Sequence, residues 1–239
     1  MKILAIIPAR GGSKGLPGKN IKEIHGHPLI SYSILAAKLV PQINRVIVST
    51  DDNEIAKISK RYGAEVPILR PEEFAQDLST DFDVFLHMLK WLEENENYVP
   101  DFVVQLRPTS PIRIIQHITE CINKFVHTDF DSLRIVTDSP ITPYKMWTIN
   151  NFEEPMVPLI QQDEIKEPYN QARQNLPIKY WQIGYLDVIR TSTIINKKSM
   201  SGDKILPYFV DQKYAIDIDN INDFIQAEEF LKNNDCVKF

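Results

Sequence analysis

The sequence predicts an α/β fold built on a doubly wound, mostly parallel sheet, and three observations carry that prediction. Strand-like and helix-like segments alternate through the N-terminal half. The strand-like segments are short and rich in Val, Ile and Leu, as strands buried on both faces are. The first of them runs straight into a glycine-rich loop, and open α/β sheets place their ligands at such carboxyl ends of strands.

Strands are predicted over Lys2–Ile7, Arg45–Ser49, Val66–Leu69, Phe102–Leu106 and Ser132–Val136. Helices are predicted over Leu29–Leu39, Asn53–Tyr62, Thr80–Asn95 and Ile114–Phe125, the last three with the polar or acidic starts that helix N-termini favour. His25 and His27 flank Gly26 in a hairpin or turn. From Pro140 the alternation stops. Prolines recur at 140, 143, 155, 158, 168 and 177, and Tyr144, Trp147, Trp181 and Tyr185 bring aromatics. Residues 140–187 are too few for a core of their own and read as an arm inserted into one domain spanning 1–239. Regular structure returns with strands at Ile205–Val210 and Tyr214–Ile218 and a helix over Asn220–Asn233.

Composition excludes several classes. The 239 residues carry a formal net charge of -5, which argues against a nucleic-acid partner. No apolar run is long enough to span a bilayer or form a signal-peptide core. The two cysteines, Cys121 and Cys236, provide no disulfide framework and point to a reducing, cytoplasmic setting. The five histidines show no zinc-ligand spacing.

Against that acidic background one segment is cationic. Residues 8–20 read Pro-Ala-Arg-Gly-Gly-Ser-Lys-Gly-Leu-Pro-Gly-Lys-Asn. Gly11, Gly12, Gly15 and Gly18 let the backbone turn and present its N–H groups, while Arg10, Lys14 and Lys19 supply positive charge. A polyanionic phosphate is the natural guest. The spacing differs from the Walker P-loop, because Ser13 stands where that motif has Gly and Asn20 follows Lys19 in place of Ser or Thr. Near the other end, Tyr214–Asn220 reads Tyr-Ala-Ile-Asp-Ile-Asp-Asn. On a strand, Asp217 and Asp219 would share one face roughly 7 Å apart and could grip one hard cation. An amphipathic edge strand, with Asp219 capping the last helix, explains the same pattern.

The loop resembles the signature of the acylneuraminate cytidylyltransferases and their relatives acting on other 2-keto-3-deoxy sugar acids. The match runs from Pro8 to Gly15 and through Lys19-Asn20. Further matches follow in the family's order: Ser49-Thr50-Asp51, Arg70-Pro71 with Asp77 and Ser79, Pro108-Thr109-Ser110-Pro111 with Arg113, Arg173-Gln174 with Leu176-Pro177, and Asp217 with Asp219. The resemblance implies a Rossmann-like nucleotidyltransferase that uses CTP and an acidic sugar. It implies that Ala9, Arg10, Gly11, Gly12, Ser13, Lys14, Lys19 and Asn20 hold the nucleotide, with Arg70, Asp77 and Ser79 near base and ribose. Arg10, Lys19, Asp217 and Asp219 are then the catalytic set, and Asp217 and Asp219 the ligands of Mg²⁺ or Mn²⁺. Asp51 is a further metal or water ligand, or, paired with Glu54, a helix cap. Arg70 either meets the cytosine carbonyl or pairs with Glu72 or Glu73 at a strand end. Arg107, Thr109, Ser110, Lys145, Arg173 and Gln174 are implied for the sugar, and the arm for a homodimer.

Two departures bear on the sugar. Arg107 stands where the family has Gln, and a planar cation there could clamp a carboxylate or phosphate. Trp181 and Ile183 replace the family's Arg and Asn before Gly184, which would make an apolar pocket, or simply a differently packed arm. The rival readings are a transferase with another acidic or phosphorylated acceptor, a nucleotide-binding module without catalysis, and a glycosyltransferase of similar architecture.

Overall fold

The structure, a computed structural model, describes residues 1–161 and 164–239. In chain order its strands are β1 (Ile3–Pro8), β2 (Glu23–Ile24), β3 (His27–Pro28), β4 (Arg45–Ser49), β5 (Phe102–Gln105), β6 (Ser132–Asp138), β7 (Trp147–Thr148), β8 (Val157–Pro158), β9 (Tyr180–Arg190) and β10 (Ile205–Phe209). The α-helices are α1 (Leu29–Leu39), α2 (Asn53–Arg61), α3 (Asp81–Glu96), α4 (Ile115–Val126), α5 (Thr191–Lys197) and α6 (Ile221–Asn233).

Six strands form the central sheet in the order β10-β6-β9-β5-β1-β4. Five run parallel and β9 runs antiparallel between β5 and β6. The mostly parallel, doubly wound sheet is therefore as the sequence predicts. Its two faces follow from period-two alternation. Ile3, Ala5 and Ile7 of β1 pack with Ile30 and Ile34 of α1, Ile55 of α2 and Phe125 of α4. Leu4 and Ile6 point the other way, into Phe85, Met88 and Leu92 of α3 and Ile194 of α5. A third cluster joins α6, through Phe224 and Leu231, to Ile24, Leu29, Ile112, Ile216 and Ile218. The β2–β3 hairpin turns on His25 and Gly26, both at positive φ, as its two-residue loop requires.

Three expectations change. Val66–Leu69 is not a strand. Only Glu65 bridges to Ile47, and Pro67, which has no N–H to donate, follows at once. Tyr214–Ile218 is not a strand either. A 3₁₀ turn covers Gln212–Tyr214 and the chain then runs extended off the sheet, with Ile218 donating its N–H to the Thr109 carbonyl at 2.8 Å. The in–out alternation nevertheless holds: Ile216 and Ile218 are buried, and Asp217 and Asp219 are exposed. Finally, β9 begins inside the stretch assigned to the arm. Its aromatic, Gly-containing start hid an eleven-residue strand that the sheet needs between two parallel halves.

Asp131, at the start of β6, anchors the return loop into β10. Its carboxylate accepts from Lys197 Nζ at 2.8 Å and from the backbone N–H groups of Asp203 and Lys204 at 2.9 and 3.0 Å. Lys197 above all, then these N–H groups, hold its carboxyl well below the ordinary range. A depressed folded-state pKa stabilises above the unfolded value, near 4, and that stabilisation fades as pH falls toward the folded value. Asp131→Asn should therefore melt lower than wild type at pH 7, with the gap closing below about pH 4. Thermal melts at pH 7 and pH 3 check this; an equal gap at both refutes it.

Candidate active site

The carboxyl ends of β1 and β5 open into a cleft of about 520 Å³. The glycine-rich loop forms one wall. Gly18 stands at φ 65°, where a side chain would be strained, and starts the 3₁₀ turn Lys19–Ile21. Asn20 is buried and its Nδ2 donates to the Arg10 carbonyl at 2.9 Å, tying the loop's two ends together. Gly11 N–H donates to Asp51 Oδ1 at 3.0 Å, so Asp51 anchors the loop and does not line the cleft. The cap of α2 is Asp52, which accepts from Glu54 N–H and Ile55 N–H; the expectation of a cap at Asp51 misses by one residue. Ala9 is buried and donates its N–H to the Ser49 carbonyl, extending the sheet. Gly12 is exposed with open space around it.

Arg10, Ser13, Lys14, Lys19, Asn20, Arg70, Asp77, Ser79, Arg107, Thr109 and Asp219 all line the cleft. The N-terminal loop and the late aspartate segment meet there, although some 200 residues separate them in sequence. Lys19 Nζ donates to the Ile218 carbonyl at 2.5 Å and lies 3.8 Å from Asp219 Oδ1. Gly15 packs directly on the Asp219 carbonyl, leaving no room for a Cβ. Asp77 pairs with both Arg10, at 3.3 Å, and Lys14, and Lys14 chiefly holds its carboxyl below the ordinary range. Ser79 Oγ donates to the Glu73 carbonyl at 3.1 Å.

Arg70 does not pair with Glu72 or Glu73. It is buried, donating from Nε to Ser49 Oγ at 3.1 Å, from Nη2 to the Ser49 carbonyl, and from Nη1 to the Phe74 carbonyl at 3.5 Å. Burial lowers its pKa to about 10, which leaves it a cation at neutral pH.

Arg107 is not the free clamp its position suggests. Nη1 meets Asp187 Oδ2 at 3.0 Å and Nη2 meets Asp81 Oδ2 at 2.7 Å. Asp187, fully buried on β9, also holds Arg134 at 2.5 Å. Two guanidinium groups face two carboxylates, so the quartet is neutral, as burial demands. The sequence shows these charges but not their pairing, because β9 brings Asp187 between Arg134 and Gln105 only in the folded register.

Asp217 faces the same region from α6's side. Its Oδ2 and Arg107 Cδ lie 3.4 and 3.5 Å from the point where a Gly184 side chain would start, with Ser110 Oγ at 3.7 Å. Ser110 itself is buried. Gly184 thus leaves space between a carboxylate and a cation; its place in the matched Gly was the signal that it mattered. Ile183 turns into the core and lines neither the cleft nor the second, larger groove of about 1010 Å³, where Trp181 is half-exposed beside Asp217 and Asp219. Asp219 lines both spaces. Lys145, Arg173 and Gln174 sit on the arm outside the cleft; Arg173 donates to the Ser139 carbonyl at 2.7 Å and the Pro140 carbonyl at 3.3 Å.

Among the described residues no group of three or more His, Cys, Asp or Glu forms a self-sufficient metal cage. Mg²⁺ does not need one, since it takes one or two carboxylates and completes its shell with phosphate oxygens and water. The exposed Asp217 and Asp219, the latter beside Lys19 of the cationic loop, fit that pattern.

The glycine-lined cleft at the strand ends, with Arg10, Lys14 and Lys19 on its walls and Asp219 beside them, suits a nucleotide's phosphates, and the similarities that follow make the chain a nucleotidyltransferase. Residues 4–181 match the family described as Cytidylyltransferase, and the chain belongs to that family. It is 34% identical over 240 residues to the CMP-N,N'-diacetyllegionaminic acid synthase of Legionella pneumophila, covering 98% of each. It is 28% identical over 234 residues to the pseudaminic acid cytidylyltransferase of Campylobacter jejuni, covering 98% of each. The N-acylneuraminate cytidylyltransferase of Escherichia coli is 31% identical over 93% of this chain but only 50% of its own length. Among solved structures, a CMP:2-keto-3-deoxy-manno-octonic acid synthetase complexed with CTP superposes with a TM-score of 0.71 at 16% identity, covering 97% of this chain and 99% of that one. That likeness concerns the fold.

Proposed function

We propose that the protein activates an acidic, nonulosonate-like 2-keto-3-deoxy sugar with CTP, releasing CMP-sugar and pyrophosphate. The observation that carries this reading is the meeting of Arg10, Lys14 and Lys19 with Asp219 around one cleft. Sequence relatives named for legionaminic, pseudaminic and N-acylneuraminic acids support the sugar class.

The reaction is in-line transfer of a cytidylyl group. The sugar's anomeric hydroxyl attacks the α-phosphorus, its O–P bond forms as the bond to pyrophosphate breaks, and the hydroxyl proton leaves to solvent. Positioning and charge neutralisation supply the rate. Arg10 and Lys14 take the triphosphate once it displaces the Asp77 carboxylate. Lys19, fixed by the Ile218 carbonyl, meets the developing charge on the phosphate. Asn20 keeps the loop closed, and Arg70 donates to the cytosine carbonyl. Asp217 and Asp219 would hold Mg²⁺ or Mn²⁺. Such an ion, when bound, polarises phosphate oxygens and acidifies a nearby hydroxyl. Gly184 leaves the acceptor its space beside Asp217.

Lys145, Arg173 and Gln174 reach a sugar only if the arm serves a partner, so we include a homodimer in the proposal. Exposed Phe152, Ile178 and Ile141 on that arm support it. Two unpaired cysteines fit a cytoplasmic setting. No helix among the described residues is long and apolar enough to cross a membrane. Pyrophosphate release with CTP, UTP, GTP or ATP against a panel of acidic sugars tests the reading. Turnover is expected with CTP and a nonulosonate. Tight CTP binding with no turnover on any acid sugar would instead mark a nucleotide-binding module.

A further inference from the structure

The cleft contains one acidic group with no part in phosphate binding. Among the described residues lining it, Asp77, Asp81 and Asp219 carry carboxylates. Asp77 lies on Arg10 and Lys14, and Asp219 on Lys19, so both belong to the triphosphate end. Asp81 opens α3, where the helix N-terminus favours a negative charge. Its Oδ2 accepts from Arg107 Nη2 at 2.7 Å and from Gln105 Nε2 at 2.8 Å. Those two bonds fix the carboxylate's orientation. Oδ1 has no hydrogen-bond partner among the described residues, and the side chain is 38% exposed.

The surroundings suit a planar base. Val84, three residues on and therefore on the same helix face, lines the cleft together with Phe74, Pro8 and Pro108. The buried Arg70 guanidinium is close enough for the Asp81 charge to favour its protonated form. The cleft is thus lined by both a held donor, Arg70, and a held acceptor, Asp81. Cytosine offers the complement: a carbonyl acceptor at O2 and a two-proton donor at the 4-amino group. Uracil places a carbonyl oxygen where that amine would be, facing a carboxylate oxygen.

Resting on the cytidylyltransferase reading above, we propose that Asp81 is the residue that selects cytosine, its Oδ1 accepting a hydrogen bond from the base's 4-amino group. Arg107 is then a positioning residue. It holds Asp81 and neutralises enough of its charge for a nucleoside triphosphate to enter.

The test compares kcat/KM for CTP and UTP in wild type and in Asp81→Asn, whose amide can donate to a uracil carbonyl. The CTP:UTP preference should fall at least about tenfold, with KM for the sugar unchanged. Since the substitution also disturbs Arg107, a second measurement leaves the protein intact: N4,N4-dimethyl-CTP, which has lost both donors, should bind wild type at least about tenfold more weakly than CTP in titration calorimetry. An unchanged CTP:UTP preference with an altered sugar KM would move Asp81 to the acceptor and overturn the inference. Equal binding of CTP and its dimethyl analogue would overturn it too. If wild type binds no nucleotide, the cytidylyltransferase reading itself fails; if it binds CTP and UTP alike, only the assignment of Asp81 does.

Discussion

Asp217→Asn and Asp219→Asn should each lower kcat by about 10²-fold or more, while melting within about 0.5 kcal/mol of wild type. Both side chains are exposed, so neither supports the core. The neighbouring Ile216 and Ile218 do that, and both substitutions leave them in place. An amide keeps the size and loses the charge, so a cation held by the pair loses its strongest ligands. The two variants should nonetheless differ. Asp219 pairs with Lys19, and its loss leaves that cation free to bind triphosphate, so KM for CTP should rise less than in Asp217→Asn. Initial rates across a magnesium titration give both values. A loss of less than about fivefold in both variants would refute the metal assignment, since one ligand to a catalytic ion is worth several kcal/mol.

Gly15→Ala should cost about 10²-fold in kcat/KM through geometry alone. No charge is removed. The added Cβ lands on the Asp219 backbone carbonyl, which cannot swing aside as a flexible side-chain tip would. The loop and the aspartate segment must separate, and a displacement of about 1 Å at a phosphoryl-transfer site has a cost of that order. Overpacking also destabilises, by about 1–3 kcal/mol. Gly12→Ala is the matched comparison: nothing lies within 4 Å of the new carbon, so thermal stability should hold. If the two alanine variants behave alike, close contact between the segments is not what the site depends on.

The glycine-rich loop was legible because its chemistry is local. Four glycines and three cations lie within eleven residues of one another, from Arg10 to Asn20, and Arg10, Lys14 and Lys19 do line one cleft in the fold. The aspartate segment was legible for a different reason. Alternation sends Ile216 and Ile218 inward and Asp217 and Asp219 outward whether or not a strand forms. Hence the predicted strand is absent while its consequence survives. Val66–Leu69 failed because β-rich composition cannot overcome a proline at an edge.

Arg107 marks the limit of that legibility. As a residue in a sequence it is a cation in the place of a Gln, free to bind an anion. In the fold it lies between Asp81 and Asp187, whose carboxylates already meet its two terminal nitrogens and offset its charge. Asp81 read only as part of an acidic helix start, a role that capping chemistry satisfies by itself.

By itself, then, the sequence determined the alternating elements, the faces they bury and the cationic, glycine-rich character of the first loop, because each depends on neighbours a few residues apart. Tertiary structure decided which carboxylates neutralise which cations and which remain open to a ligand. A charge's effect depends on what lies within a few ångströms of it, and β9, threading antiparallel through a parallel sheet, brings those neighbours together from segments far apart in the chain.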